Sequence, residues 1–268
     1  MKSLKSTASI ALFLFSLLAV SVPSVIAQDD GMKLVPGGEF NRGRTHEWPD
    51  KVLPWYPNPL KDDTPVKRLR LDAFLADESE VTNQRYAEFV ATTDAEAPFH
   101  WIKGQYAEGE GQYPVVNVSW DDATAFCASE GKRLPTEAEW ERACRGGEDD
   151  RKYPWGDEDP TEEQAHFGSQ EGGPVAVCSK ERNDFGLCDM IGNAWEWTSD
   201  HYGRDYYAEA PTENPQGPAA GRYRVMRGGS WFDKVEASFL TCSYRSWARS
   251  AERSPNMGFR CVQAAPVE

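Results

Sequence analysis

The sequence predicts a single α+β domain with few helices and much irregular chain. Three observations lead there. Helical periods are confined to three short segments between residues 83 and 145. Beyond them the chain is a succession of short apolar runs split by Gly, Pro, Asn and Asp, with no repeat and no low-complexity linker. Ten Trp, 22 Gly and 18 Pro point to ordered loops anchored by aromatics rather than to a helical bundle.

Taken in order, Ile10 to Val22 is an apolar run preceded by Lys2 and Lys5 and followed by small residues at Ala27. This is the pattern of a cleaved signal peptide over 1–27, since the run is shorter than the ~20 residues a membrane span needs. No Cys follows it and no later stretch could span a bilayer, so residues 28–268 are expected to be a soluble domain, periplasmic or secreted. Residues 32–41 read as a strand entering a Gly37-Gly38 turn, 45–66 as a long surface loop, and Val66 to Phe74 as a half-exposed strand. A helix is expected at about 83–92, with Thr82 as N-cap and Tyr86, Phe89 and Val90 on one face. A second begins after Ser119, with Asp122 at N3, buries Ala123, Phe126 and Cys127, and ends at Gly131. A third opens on Thr136-Glu137-Ala138-Glu139, a capping box, buries Trp140, Ala143 and Cys144, and ends at Gly146-Gly147.

Forty-three Asp and Glu against 29 Lys and Arg give a net charge of −14, and no basic run relieves it, so nucleic acid is not an expected partner. All six cysteines follow the leader. An even count in an oxidising compartment favours disulfides, and no C-x-x-C pair suggests zinc or a thioredoxin-like site. Spacing alone proposes only Cys178–Cys188, as a clip around the Asn183 to Gly186 turn. His46, His100, His166 and His201 are not spaced to pair as metal ligands, and neither a Ser-His-Asp signature nor a phosphate-cradling loop is present. The Asn117-Val118-Ser119 sequon reads as a helix-capping region instead.

Several segments together resemble the sulfatase-modifying-factor family, whose founding members are formylglycine-generating enzymes. They are Val35-Pro36-Gly37-Gly38-Glu39-Phe40, Glu80-Val81-Thr82-Asn83, Pro114 to Trp120, Lys132 to Glu141 and Tyr153-Pro154-Trp155-Gly156. Gly192 to Thr198, Arg227-Gly228-Gly229-Ser230-Trp231 and Gly258-Phe259-Arg260-Cys261 complete the set, so the resemblance runs over about 32–263. It implies a C-type-lectin-like fold, in which Trp140, Trp155, Trp195 and Trp197 are core aromatics. Cys242 is expected to be in a disulfide with Cys144, and the resemblance implies Cys127–Cys261 as a second bridge.

The resemblance implies a chemistry from which this chain departs. The enzymes hold Cu(I) through two cysteines five residues apart after the Gly-Gly-Ser motif, soft thiolates being what Cu(I) selects. Here the stretch holds only Cys242. Anchoring on Arg245 and Arg249 puts Thr241 and Glu236 at those positions; anchoring on Gly-Gly-Ser puts Asp233 and Ser238 there. Copper is therefore not expected. The pocket residues that the resemblance implies are Ser230 and Asn256, with Trp231, Cys242, Arg245 and Arg249 as neighbours. An arginine in Tyr244-Arg245 or Gly258-Phe259-Arg260 could instead simply pair with the acid excess. A structural calcium is implied at Asp189, Gly192, Ala194 and Glu196, two carboxylates with backbone carbonyls between them. The family's second calcium site, near His166-Phe167, lacks its acidic partner and is not expected.

Three functional readings follow. One is an enzyme with altered maturation chemistry on a peptide or siderophore-like substrate, as in extracytoplasmic relatives that lack the thiol pair and act on siderophores of the pyoverdine type. The second is a cysteine oxidase with a rearranged site, which a free Cys242 would favour. The third is a lectin-like binding module for a peptide, glycan or protein. A catalytic reading requires a cleft lined by Ser230, Trp231 and Asn256; a binding module predicts a shallow cleft and an exposed aromatic patch.

Overall fold

The computed structural model describes residues 31–47, 61–169, 171–234 and 239–266. The expected signal peptide and residues 48–60 of the expected surface loop lie outside them.

The expected strand over 32–41 is two strands, β1 (Met32–Val35) and β2 (Gly38–Arg42), and the one over 66–74 is β3 (Lys67–Leu71) and β4 (Phe74–Asp77). Each breaks because the chain changes sheets. β1 pairs antiparallel with β4, while β2 pairs antiparallel with β3. At the corner, a Cβ on Gly37 would lie 2.7 Å from the Ala73 nitrogen, so the two breaks pack against each other and only glycine fits.

The three helices form where capping predicts them. α1 (Asn83–Thr92) is capped by Thr82, whose hydroxyl accepts from the Arg85 nitrogen. α2 (Trp120–Ser129) and α3 (Glu137–Arg145) both carry reciprocal capping boxes, Ser119 with Asp122 and Thr136 with Glu139. Gly146 ends α3 in the left-handed conformation, φ 64°. β5 (Trp195–His201), the short α4 (Tyr206–Glu209), β6 (Arg224–Arg227), β7 (Ser246–Ala248), β8 (Met257–Gly258) and β9 (Val262–Ala264) complete the order. Among the described residues the sheets are β1-β4-β9, β2-β3 and β7-β6-β5-β8.

Two aromatic cores lie between these short sheets and the helices. One gathers Tyr86, Phe126, Trp195, Trp197 and Phe259; the other gathers Val35, Phe74, Trp140 and Ile191. Trp140, Trp195 and Trp197 are buried as expected, whereas Trp155 is half-buried and stacks on Tyr153. Three disulfides are present: Cys127–Cys261, Cys144–Cys242 and Cys178–Cys188. The first two close loops of 134 and 98 residues. The chain-entropy model assigns each about 5 kcal/mol, against about 3 kcal/mol for the local clip.

α3 departs from the expected amphipathic pattern, because its charged side is buried too. Glu137 and Glu141 are 1% and 0% exposed. They face Arg227, whose guanidinium lies 3.2 Å from Glu137 and 2.8 Å from Glu141. Arg245 lies 2.6 Å from Glu137, and Arg145 lies 2.8 Å from Glu141. The Tyr207 hydroxyl donates to Glu141 at 3.1 Å. Burial pushes both carboxyls up, but the arginines outweigh it and hold them below the ordinary range.

Candidate functional site

The site begins at the turn after β6. Gly228 and Gly229 both have positive φ, 96° and 75°. A Cβ on Gly229 would lie 2.5 Å from the Leu240 side chain, which would have to shift, and at φ 75° any other residue would be strained. The turn delivers Ser230 and Trp231 beside residues 193–195 and 254–256. The Trp231 nitrogen donates to the Asn193 carbonyl at 3.0 Å, and the Trp195 nitrogen donates to the Asn256 carbonyl at 2.8 Å.

Here four polar side chains form a chain. The Ser254 hydroxyl donates to Asn256 Oδ1 at 2.6 Å, and Asn256 Nδ2 donates to Ser230 Oγ at 3.2 Å. Ser230 Oγ in turn donates to Asp233 Oδ2 at 2.6 Å. Burial pushes the Asp233 carboxyl up, against hydrogen bonds from Ser230 and the Trp195 side chain that favour its charged form. The arrangement presents one half-buried acid of raised proton affinity, oriented by a serine that is itself oriented by an amide.

In front of this cluster lies a cleft of about 590 Å³. Trp231 and Pro255 form its floor, the segments 113–117 and 171–175 form its walls, and His100 and His166 face into it. Trp231 Nε1 donates to the Pro255 carbonyl at 3.3 Å, which ties the floor to the polar chain behind it. Of the expected lining residues only Trp231 reaches the cleft; Ser230 is fully buried. Phe99, Ile102 and Phe232 are large, exposed apolar residues. In the chain the first two flank His100, which lines the cleft, and the buried Trp101, and Phe232 follows Trp231.

The structure thus brings Ser230, Trp231 and Asn256 together and corrects the other three expected pocket residues. Cys242 is fully buried and bonded to Cys144. Arg245 is 1% exposed and lies in the core against Glu137, as the acid-pairing alternative has it. Arg249 lies on the surface, where its carbonyl accepts from the Glu252 nitrogen. Of the residues at the two copper registers, Thr241 is buried and Asp233 joins Ser230, while Glu236 and Ser238 lie outside the described residues. None of the six cysteines is free. The donor set for a two-thiolate Cu(I) site is therefore not available in this oxidised chain.

The expected calcium residues sit under the same site. Asp189 Oδ2 accepts from the Cys178 nitrogen at 2.6 Å. Both Glu196 oxygens accept from Arg260, at 2.7 Å each, and Oε2 also accepts from Trp140 Nε1. Gly192 and Ala194 lie between them in a turn where Gly192 has φ 84°. Glu80 adds a third carboxyl to this neighbourhood. It is fully buried, and neither oxygen has a hydrogen-bond partner. Burial first, and then Asp189 and Glu196, push it well above the ordinary range. Three buried acids thus face one buried cation, Arg260.

Comparison with known proteins decides the family. The family described as the sulfatase-modifying factor enzyme 1-like domain matches residues 20–265. This chain belongs to that family. It is 38% identical to a formylglycine-generating enzyme of Streptomyces coelicolor, over 88% of this chain and 90% of that one. It is 30% identical to a bovine protein named inactive C-alpha-formylglycine-generating enzyme 2, over 89% of each. Among solved structures, Treponema denticola variable protein 1 superposes with a TM-score of 0.67 at 26% identity, covering 86% of this chain and 94% of that one. PvdO from Pseudomonas aeruginosa superposes with a TM-score of 0.70 at 23% identity, covering 87% and 94%. The fold is that of formylglycine-generating enzymes, α+β and C-type-lectin-like. The matched stretch starts within the apolar run at the N-terminus.

Two parts of the site escape sequence reading. Asp233 enters it only as a register position, although Ser230-x-x-Asp233 after a Gly-Gly turn is the spacing of a local side-chain bond. Glu80 is visible in its motif, but nothing local marks it as buried.

Proposed function

We propose that this member of the family is exported to the periplasm or secreted and binds a peptide or siderophore-like ligand in the cleft over Trp231. It processes that ligand by chemistry other than thiolate-copper oxidation of a sulfatase cysteine. The observation that carries this reading is Asp233: where one register of the family's copper-binding stretch puts a thiol, this chain holds a half-buried acid hydrogen-bonded to Ser230. Asp233 is bonded to Ser230 beside Trp231 and does not itself line the cleft, so a ligand N–H or O–H must reach past Trp231 to exchange a proton with this carboxyl of raised affinity. Ser230 and Asn256 fix its orientation. The three disulfides and the leader support export, and among the described residues no helix is long and apolar enough to cross a membrane.

The test is a ligand screen by protein NMR followed by variants. Asp233→Asn is expected to weaken binding or turnover of a cleft ligand by at least about tenfold, with the folded core unchanged. A copper-dependent consumption of oxygen with thiol peptides would overturn the proposal. A second reading, a binding module without catalysis, is favoured by the full burial of Ser230 and by exposed Phe99, Ile102 and Phe232 near the cleft. It predicts ligands that bind and are recovered unchanged, with Phe99→Ser weakening them more than Asp233→Asn does.

Calcium belongs to the same proposal. Asp189 and Glu196, with the carbonyls of Gly192 and Ala194, would hold it, and the ion would supply the positive charge that Arg260 alone does not. Hard oxygen donors of mixed origin suit this cation. Saturating calcium at about 100 Kd is expected to stabilise the chelator-treated protein by about 2.7 kcal/mol, read as a higher midpoint of thermal unfolding. Asp189→Asn should weaken the effect, and an unchanged midpoint in calcium would refute it.

A further inference from the structure

The three disulfides are not alike. Among the six cysteines only Cys178 is not fully buried. Its bridge to Cys188 closes the shortest loop, 10 residues against 98 and 134. Opening it therefore releases the least chain entropy and disturbs neither aromatic core. Reagents in solution reach this bridge first, because exchange needs access to a sulfur.

Cys178 also ends one wall of the cleft. Glu171, Gly172, Gly173, Pro174 and Val175 line it, and the bridge follows three residues later. The wall is otherwise held by hydrogen bonds: Asn193 Nδ2 donates to the Val175 carbonyl at 3.4 Å, the Ser169 hydroxyl to the Glu171 carbonyl at 2.5 Å, and His166 Nε2 lies 3.1 Å from the Gly173 carbonyl. The Val175 nitrogen donates to Asn193 Oδ1 at 2.9 Å, the Val177 nitrogen to the Gln112 carbonyl at 2.9 Å, and the Cys178 nitrogen to Asp189 Oδ2 at 2.6 Å. Cys178 itself has φ +57°, a left-handed conformation that non-glycine residues adopt only when their surroundings impose it. The bridge is the covalent part of those surroundings.

We propose that Cys178–Cys188 is a thiol–disulfide exchange site that latches the 171–178 wall of the cleft, its substrate class being a dithiol reductant. One thiolate of the dithiol attacks Cys178 Sγ, the S–S bond breaks, and the electron pair leaves on Cys188 Sγ, which takes a proton. The second thiol of the reductant then displaces Cys178, which takes a second proton. The reductant leaves as its own disulfide, and the chain has gained two electrons and two protons. The proton for the departing Cys188 sulfur comes from solvent, and Glu78 then holds the new thiol. Glu78 Oε1 lies 3.9 Å from Cys188 Sγ and can accept the new S–H. Arg182 and Lys33 keep this carboxyl ionised, outweighing the effect of its burial. Once the bridge is open, Cys178 can relax from positive φ and the wall loosens.

The latch rests on the cleft being the working site, but its test does not use a cleft ligand. The full chain is titrated with dithiothreitol without denaturant, alkylated and mapped by peptide mass spectrometry, and amide exchange is followed on the same samples. Cys178 and Cys188 should be labelled at least about tenfold faster than the other four. The amides of Val175, Val177 and Cys178 should then exchange about tenfold faster, while those of α2 and α3 do not change. The double variant Cys178→Ser with Cys188→Ser should show the fast wall exchange without reductant. Equal labelling of all six cysteines overturns the exchange site. Selective reduction with unchanged wall amides overturns the latch. Failure of the NMR ligand screen would count against the cleft reading and leave both these readouts standing.

Discussion

Arg227→Ala is expected to destabilise the protein by about 3–5 kcal/mol, the range for removing one partner from a fully buried ion pair. Arg227 has no exposed surface. Its Nη1 donates to the Ser243 carbonyl at 2.9 Å and to Glu137, and its Nη2 donates to Glu141 and to the Cys242 carbonyl. Truncation leaves two carbonyls without donors, two carboxylates with less compensation and a cavity against Trp140, over which the guanidinium sits at 5.3 Å. Chemical denaturation with the disulfides intact checks this. The contrast is Arg70→Ala. The Arg70–Glu213 pair is 3.9 Å apart with both side chains more than half exposed, and such pairs contribute about 0–1 kcal/mol. Similar losses for the two variants would show that the buried network carries no special weight.

The size of that effect follows from how this fold is built. Its strands are short, so sheet ladders satisfy few of the loop carbonyls that folding buries. Buried arginines do it instead. Arg245 donates to the Asp62 and Gly203 carbonyls, Arg260 to those of Asp77, Glu78 and Cys188, and Arg145 to those of Gly43 and Arg151. Each arginine ties together loops far apart in sequence, and each needs a buried glutamate to balance its charge. Glu137, Glu196 and Glu141 serve these three in turn.

That arrangement also marks what could be read from the chain. The helices were legible because capping is local: Thr82, Ser119 and Thr136 each bond within three residues. The apolar faces of α1 and α2 follow their period. The charged side of α3 did not reveal its burial, since Glu137, Glu141 and Arg145 repeat every four residues as a solvent-facing pair pattern does. Only the long-range approach of Arg227 and Arg245 makes that side interior. The same blindness sent Arg245 to the pocket. Ser230, Trp231 and Asn256 were legible as a group only through the family resemblance, because Ser230 and Asn256 are 26 residues apart and meet across the turn after β6. Asp233, three residues from Ser230, was within reach of local reasoning.

Asp200→Asn is expected to change how stability depends on pH. Asp200 is buried at the start of α3, where its Oδ1 accepts from the Glu137 nitrogen at 2.8 Å and its Oδ2 has no partner. Burial first, and then the Glu137 carboxylate, push it from 3.8 up to about 8. The folded state therefore holds this proton more tightly than the unfolded state. Its stabilising contribution is present in full below the unfolded value, falls as pH rises through the window from about 4 to about 8, and is lost above it. At 1.36 kcal/mol per pH unit the ceiling is on the order of 5 kcal/mol. Asparagine keeps an oxygen for the Glu137 nitrogen and cannot ionise. The variant should exceed the native protein only modestly at pH 5, where the window has just opened, and by a large part of that ceiling at pH 9. Glu137 and Glu141 act in a separate window: held below the ordinary range, they contribute stability above it that is lost only as pH falls through their depressed values. Unfolding midpoints at pH 5, 7 and 9 for both proteins distinguish the two. Parallel pH profiles would mean that Asp200 ionises in the fold without penalty, and that the orphaned Oδ2 is satisfied in solution.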